Sequence, residues 1–286
     1  MMYAPGRFTA VGVADAGSAF PTNDACVGTG ARSVLSRVVH ALPTVDLEHV
    51  LAAAGLQTRV DRKYLLRPDQ LLELTGVIND RYAALEIGDR RMFRYESTYF
   101  DTRDLALFRA HRQGNRRRFK VRSRSYIDSD QCMFEVKIKG GRGETIKYRM
   151  PYSILDRAVI TERAAQFLAD AVVGTNGPPA GLRPMVTTSY TRSTLVDVAA
   201  ANRLTCDVDY VCSDDTHAMP AGDHVLLETK SAGAIGEVDR ALALLGVRPV
   251  RISKYCIGVA LLHPDVPANP WNRTLRRDFE WQPRRH

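Results

Sequence analysis

The residues best placed to do chemistry in this 286-residue chain are its lysines. All but seven of its 40 basic residues are arginine. The exceptions are Lys63, Lys120, Lys137, Lys139, Lys147, Lys230 and Lys254. A lysine presents a compact point charge, whereas an arginine presents a planar fork. Where arginine is used almost everywhere, lysine at these places suggests that a point charge is required. The lysines lie in short stretches that alternate apolar and charged. In 118–126, Lys120, Arg122 and Arg124 share one phase, with Phe119 and Val121 on the other. In 133–139, Glu135, Lys137 and Lys139 oppose Phe134, Val136 and Ile138. Lys147 and Arg149 share a phase, as do Arg203, Asp207 and Asp209, Glu228 and Lys230, and Arg59, Asp61 and Lys63. For any single strand, a sheet with one solvated face explains this. For six strands together that explanation weakens, because like charges opposite one another repel. If eight strands closed with the charged phase inward, eleven cations would crowd the lumen, Lys254 and Arg203 included. Asp61, Glu135, Asp207, Asp209 and Glu228 would accompany them. Such a lumen suits a chain of phosphates and a divalent metal.

The elements that must position these groups are mostly strands. Period-two alternation predicts eight, at 58–66, 95–101, 118–126, 133–139, 145–150, 185–193, 203–210 and 224–230. Helices are expected at 44–54 with Thr44 as N-cap, at 68–78 with Pro68 in the first turn, within 153–173, and over 236–245. The class is α+β, an eight-stranded antiparallel barrel or tunnel with flanking helices. Residues 1–32 read as a disordered leader, 33–265 as the tunnel domain and 266–286 as a basic tail. Gly140, Gly141, Arg142 and Gly143 lack the G-K-[ST] ending of a phosphate loop and read as a hairpin turn. Tyr95, Tyr99 and Tyr190 read as wall residues.

Net charge of +8 implies an anionic partner. Nucleic acid is not expected, since the basic residues sit on strands with few aromatics in phase. The apolar run 257–262 is too short to span a bilayer, and no convincing signal peptide opens the chain. Five cysteines without C-x-x-C spacing argue against disulfides and zinc, and fit a reducing cytoplasm.

Seven segments in order strengthen this reading. They are Arg62-Lys63-Tyr64-Leu65, residues 95–102 (YESTYFDT), residues 120–126 (KVRSRSY), Phe134-Glu135-Val136-Lys137, Tyr190-Thr191-Arg192, Leu227-Glu228-Thr229-Lys230 and Ser253-Lys254-Tyr255. Together they resemble the VTC domain, the polyphosphate polymerase family within the triphosphate tunnel metalloenzyme superfamily. The resemblance spans roughly residues 45–262. It implies an eight-stranded antiparallel tunnel that transfers the terminal phosphate of ATP to inorganic polyphosphate with Mn2+ or Mg2+. It also implies that Lys63, Arg122, Arg124, Lys137, Lys147, Lys230 and Lys254 hold phosphates and that Glu228 binds metal. Lys63, Arg122, Arg124, Lys137 and Lys254 are the expected catalytic cations. Lys120, Lys139, Lys147, Arg149, Arg192, Arg203 and Lys230 are expected to hold substrate phosphates, with Asp207 a second metal-ligand candidate. Hydrolytic relatives open with E-x-E-x-K, but Arg59, Asp61 and Lys63 hold that spacing here. One carboxylate is lost, which moves the chain away from a hydrolase. A triphosphate or polyphosphate hydrolase and a non-catalytic polyphosphate-binding module remain the alternatives. With no membrane span of its own, the chain would reach a membrane through a separate membrane-protein partner.

Overall fold

The computed structural model describes residues 28–54, 60–79, 81–140, 145–173, 177–197, 199, 202–231 and 235–282. The main strands are β2 (Val60–Leu66), β4 (Phe93–Asp101), β5 (Arg118–Tyr126), β6 (Gln131–Lys139), β7 (Thr145–Tyr152), β8 (Arg183–Asp197), β9 (Asn202–Ser213) and β11 (Val225–Ser231). Their order is β2-β11-β9-β8-β4-β5-β6-β7, and every neighbouring pair is antiparallel. Short strands extend the sheet. β1 (Thr44–Val45) runs parallel to β3 (Tyr82–Leu85), β3 pairs with β8, and β10 (Ala218–Pro220) pairs with β9. The helices are α1 (Ala31–Ala41), α2 (Leu47–Ala54), α3 (Pro68–Glu73), α4 (Thr75–Asn79), α5 (Ala106–Arg112), α6 (Glu162–Ala171), α7 (Glu237–Leu244), α8 (Lys254–Leu262) and α9 (Asn272–Asp278).

The expected α+β antiparallel architecture is present, as a curled half-barrel. Strand twist bends a sheet of this width. The curl brings its two ends together, so that Lys137 on β6 feels the charges of Lys63 and Asp61 on β2 and Glu228 on β11. Hydrogen bonding stops short of a closed cylinder, because β2 and β7 do not pair with each other. The carbonyl of Lys63 on edge strand β2 accepts instead from the amide of Val250 at 2.7 Å.

The apolar phase faces outward, under helices. Helices α1, α3, α4 and α7 cover Tyr64, Leu66, Leu195, Leu204 and Leu227, and α6 covers Phe119, Val121, Phe134, Val136 and Met150. The inner face is charged in its middle. At one end it turns apolar, where Tyr99, Val186, Tyr210 and Cys212 receive α8. Every residue from Tyr255 to Leu262 is buried. A Cβ at Gly258 would lie 2.8 Å from Val186 Cγ1 and 3.4 Å from Cys212 Cβ, so only glycine permits this approach. Trp271, Leu275 and Trp281 pack onto α8, and the Trp281 indole donates to the carbonyl of Ala260 at 2.8 Å. Much of the stretch read as a basic tail is therefore folded.

Several helix boundaries differ from expectation. Thr44 and Val45 form a strand, and Asp46 caps α2 by accepting from the amide of His49 at 2.8 Å. Residues 68–78 form two helices, broken where the Thr75 hydroxyl bonds the carbonyl of Leu72. The 153–173 stretch is helical only from Glu162, capped by Thr161, because 153–160 is held in turns by Ser153 and by the bond from the Ser123 hydroxyl to the carbonyl of Arg157. Helix α1 opens at Ala31, within the expected leader, whose residues 1–27 lie outside the described residues. Gly141, Arg142 and Gly143, expected to form a hairpin turn, also lie outside them. Four described cysteines are unpaired and buried, and no described helix is long and apolar enough to cross a membrane.

Candidate functional site

Strand register lays the charges out in rows across the inner face. Lys120 on β5 sits directly opposite Lys137 on β6, and Lys137 sits opposite Lys147 on β7. Three ammonium groups thus share one row on adjacent strands, an arrangement that repels. Among the described residues, neither Lys120 nor Lys137 has a carboxylate partner. The next row reads Arg122, Glu135, Arg149. On the far side of the curl, Lys63 faces Glu228 across β2 and β11, and Lys230 faces Asp61 on one flank and Arg203 on the other.

Three inward carboxylates organise the cations. Glu135 accepts from Arg122 Nε at 2.7 Å and meets Lys147. Arg122 also donates to the Tyr99 hydroxyl at 3.0 Å. Burial opposes ionisation of Glu135, but Arg122, Arg124 and Lys147 hold its carboxyl well below the usual carboxylate range. Asp207 accepts a two-pronged bond from Arg192, Nε to Oδ1 at 2.6 Å and Nη2 to Oδ2 at 2.8 Å, and it also meets Lys254. Burial is again overridden by Arg192 and Lys254, and the Asp207 pKa falls to about 2. Glu228 meets Lys230 and lies 3.5 Å from Lys63, and Lys230 in turn lies 3.5 Å from Asp61. Lys230 and Lys63 outweigh burial there too and hold the Glu228 carboxyl well below its ordinary value.

Lys137 is reached by water inside the concavity yet enclosed by protein. Burial lowers its pKa to about 8, Glu228 works in the other direction, and the nearby Lys63 adds to the fall. Lys137 is exposed to solvent, which screens part of that effect. Lys147 is shifted the same way, to about 8, by burial against the pull of Glu135.

Tyrosines line the wall between the clusters. Tyr95 and Tyr190 stack at 5.5 Å with planes 6° apart. Arg192 lies over both rings, and the Lys254 ammonium sits 4.3 Å from the Tyr190 centroid. Cation–π contact desolvates and fixes these charges without neutralising them.

The structure thus brings Lys63, Lys137 and Lys230 around Glu228; Arg122, Arg124 and Lys147 around Glu135; and Arg192 and Lys254 onto Asp207. Lys120 and Arg203 lie half-buried on the same face. Lys139 sits apart at the end of β6, where its Nζ reaches Thr145 Oγ1 at 3.4 Å, and Arg149, on edge strand β7 opposite Glu135, is exposed. Asp209 does not join the lumen. β9 is irregular at this point, and Asp209 has φ +53°, which reverses the alternation. Its carboxylate meets Arg32 of α1 instead. The same bulge turns Tyr210 inward, where its hydroxyl donates to the carbonyl of Lys254 at 2.7 Å. Sequence reasoning missed Tyr210, and nothing in the alternation announces the bulge.

No group of three or more metal-ligating side chains occurs among the described residues. Both oxygens of Asp207 are engaged, and its side chain is 2% exposed. Glu228 is 17% exposed, and its recorded lysine bonds all go to Oε1. Glu228 therefore fits a cation that arrives with phosphates and needs one protein carboxylate, the usual habit of Mg2+. Asp207 fits one only after releasing Arg192 or Lys254.

A family model for the VTC domain matches residues 58–263. None of the curated proteins matches. Among solved structures, the chain is similar to a candidate adenylyl cyclase from Hippeastrum described as having a dominant triphosphatase activity (13% identity, 71% of this chain and 96% of that one, TM-score 0.45). It is also similar to a candidate adenylate cyclase from Vibrio parahaemolyticus (16%, 69% and 95%, TM-score 0.39) and to a protein from Pyrococcus horikoshii (12%, 69% and 95%, TM-score 0.40).

Proposed function

The chain belongs to the VTC domain family, and on that premise we propose that it is a metal-dependent phosphotransferase making inorganic polyphosphate from ATP. The terminal phosphoryl group of ATP would pass to the end of a polyphosphate chain, leaving ADP and a polymer one phosphate longer. The observation that carries this reading is the row Lys120, Lys137, Lys147. Three like charges held in register by neighbouring strands make sense when an anion with regularly spaced charges lies along them. In this reading Lys63, Arg122, Arg124, Lys137 and Lys254 surround the transferred phosphoryl group. Lys120, Lys139, Lys147, Arg149, Arg192, Arg203 and Lys230 hold the rest of the phosphates. Glu228 would hold Mn2+ or Mg2+, with Asp207 as the lesser candidate, and the ion would supply neutralisation of phosphate charge. The reaction is placed in the cytoplasm, with a separate membrane-protein partner providing any membrane association.

The test is incubation of purified protein with ATP and Mn2+, followed by a gel that resolves polyphosphate. Accumulating polymer is the expected result. Orthophosphate without polymer would replace transferase by hydrolase. Tight polyphosphate binding with no nucleotide consumed would reduce the protein to a binding module.

A further inference from the structure

A buried carboxylate lies behind Lys63 and Glu228, on the other side of the sheet. Asp239, on α7, is 4% exposed. Its Oδ1 accepts from the Tyr64 hydroxyl at 2.9 Å and from the Thr229 hydroxyl at 2.7 Å. Its Oδ2 accepts from Arg62 Nη1 at 3.2 Å and from the amide of Gly236 at 3.0 Å. In a strand, successive side chains point to opposite faces. Arg62 and Tyr64 are thus the outward neighbours of Lys63, and Thr229 is the outward residue between Glu228 and Lys230. One carboxylate grips, from behind, both strands that present the Glu228 cluster. β2 needs this grip, because among the described strands it is an edge strand paired with β11 alone.

We propose that Asp239 is a positioning residue that locks β2 onto β11 and so fixes Lys63 at its distance from Glu228 and Lys230. A carboxylate suits the task because it accepts four bonds at once, one of them from a charged guanidinium. Asparagine offers one acceptor oxygen in its place. Its amide nitrogen would confront donors, so the grip on β2 and β11 would be partly lost. The inference rests on the phosphate-site reading only for its functional consequence, not for its geometry.

Two readouts separate the inference from that reading. The first uses no phosphate. A carbodiimide activates a carboxylate, which a neighbouring amine attacks to form an amide with loss of the urea. Mass spectrometry of digested, treated protein then gives the ratio of Lys63–Glu228 to Lys230–Glu228 cross-links. Asp239→Asn should lower that ratio several-fold. Asp197→Asn serves as control, because Asp197, on β8, is an equally buried aspartate whose partner Arg81 meets Glu237 at the start of α7 rather than β2 or β11. It should leave the ratio unchanged at comparable loss of thermal stability. The second readout is calorimetric binding of tripolyphosphate, which Asp239→Asn should weaken roughly tenfold, as supporting residues of charged sites commonly do. Asp239→Glu should recover part of both. An unchanged cross-link ratio in folded Asp239→Asn protein overturns the proposal, as does an equal change in Asp197→Asn. A wild-type chain that binds no tripolyphosphate overturns the phosphate reading alone, since the cross-link ratio still decides the role of Asp239.

Discussion

The Asp207 and Glu228 clusters use the same ingredients to different ends. Asp207 is gripped by an arginine fork, with Lys254 beside it and tyrosine rings around both. Glu228 is bonded, among the described residues, by the lysines Lys63 and Lys230. A bidentate fork fixes both oxygens of its carboxylate in one plane. An ammonium group fixes a charge but little geometry. The 2% exposure of Asp207 against 17% for Glu228 follows the same division. One cluster is built to stay as it is, and the other can exchange a partner for an incoming cation or phosphate. This restates in three dimensions why the few lysines of an arginine-rich chain matter.

The largest expected effect is at Asp207. Replacing it with Asn strips the counter-charge from two buried cations, and urea unfolding should show a loss of about 3 kcal/mol. A loss below about 1 kcal/mol would mean the cluster is not structural. Glu228→Gln should do the reverse. Metal-dependent turnover should fall at least roughly a hundredfold while stability drops by only about 1 kcal/mol. Unchanged turnover and metal titration would remove Glu228 from the site.

The smallest expected effect concerns pH. Folded Lys137 and Lys147 titrate near 8, against an ordinary lysine value of 10.5. Raising the pH from 7 to 9 removes their charge, so tripolyphosphate should bind several-fold more weakly, on the order of threefold to tenfold. Their contribution to stability has the opposite sign. Between about 8 and 10.5 the unfolded chain holds more protons than the folded one at these groups, so they favour folding more as pH rises through that window. Lys137→Arg, which cannot lose its charge, should flatten part of both curves. Calorimetry and urea midpoints at pH 7, 8 and 9 would check this, and an affinity indifferent to pH would show that these lysines do not meet the phosphates.

The strands were legible because half-buried antiparallel sheet leaves period two in the sequence, as in Phe119, Val121 and their charged neighbours. Most of the inward charges followed from the same phase. What escaped was whatever depends on distant partners. Helix α1 has no side-chain cap of its own at Gly30 and is held by Asp223, which accepts from the amide of Ala31. Helix α5 begins after Leu105 at φ +59° and takes its first-turn bonds from the buried Asp101. Helix α8 is apolar on every side, so it has no stripe to betray a 3.6 period. Asp209 reads as one more charge in phase until the bulge turns it out. Asp239 is an ordinary helix-start aspartate until β2 and β11 are placed against it.

The glycine-dependent seat of α8 also orders events in time. The wall it covers, with Tyr99, Val186, Cys212 and Leu226, belongs to strands made well before residues 254–262. At ordinary elongation rates of about 5–20 residues per second, that completed wall faces water for on the order of 2–7 s, counted from Leu226 to Leu262. During that interval the growing chain offers chaperones a half-barrel lined with grease at one end. Lys254 arrives on the same helix that covers the wall. The charge that completes the Asp207 cluster and the plug that keeps nascent chains from sticking to one another are therefore delivered together.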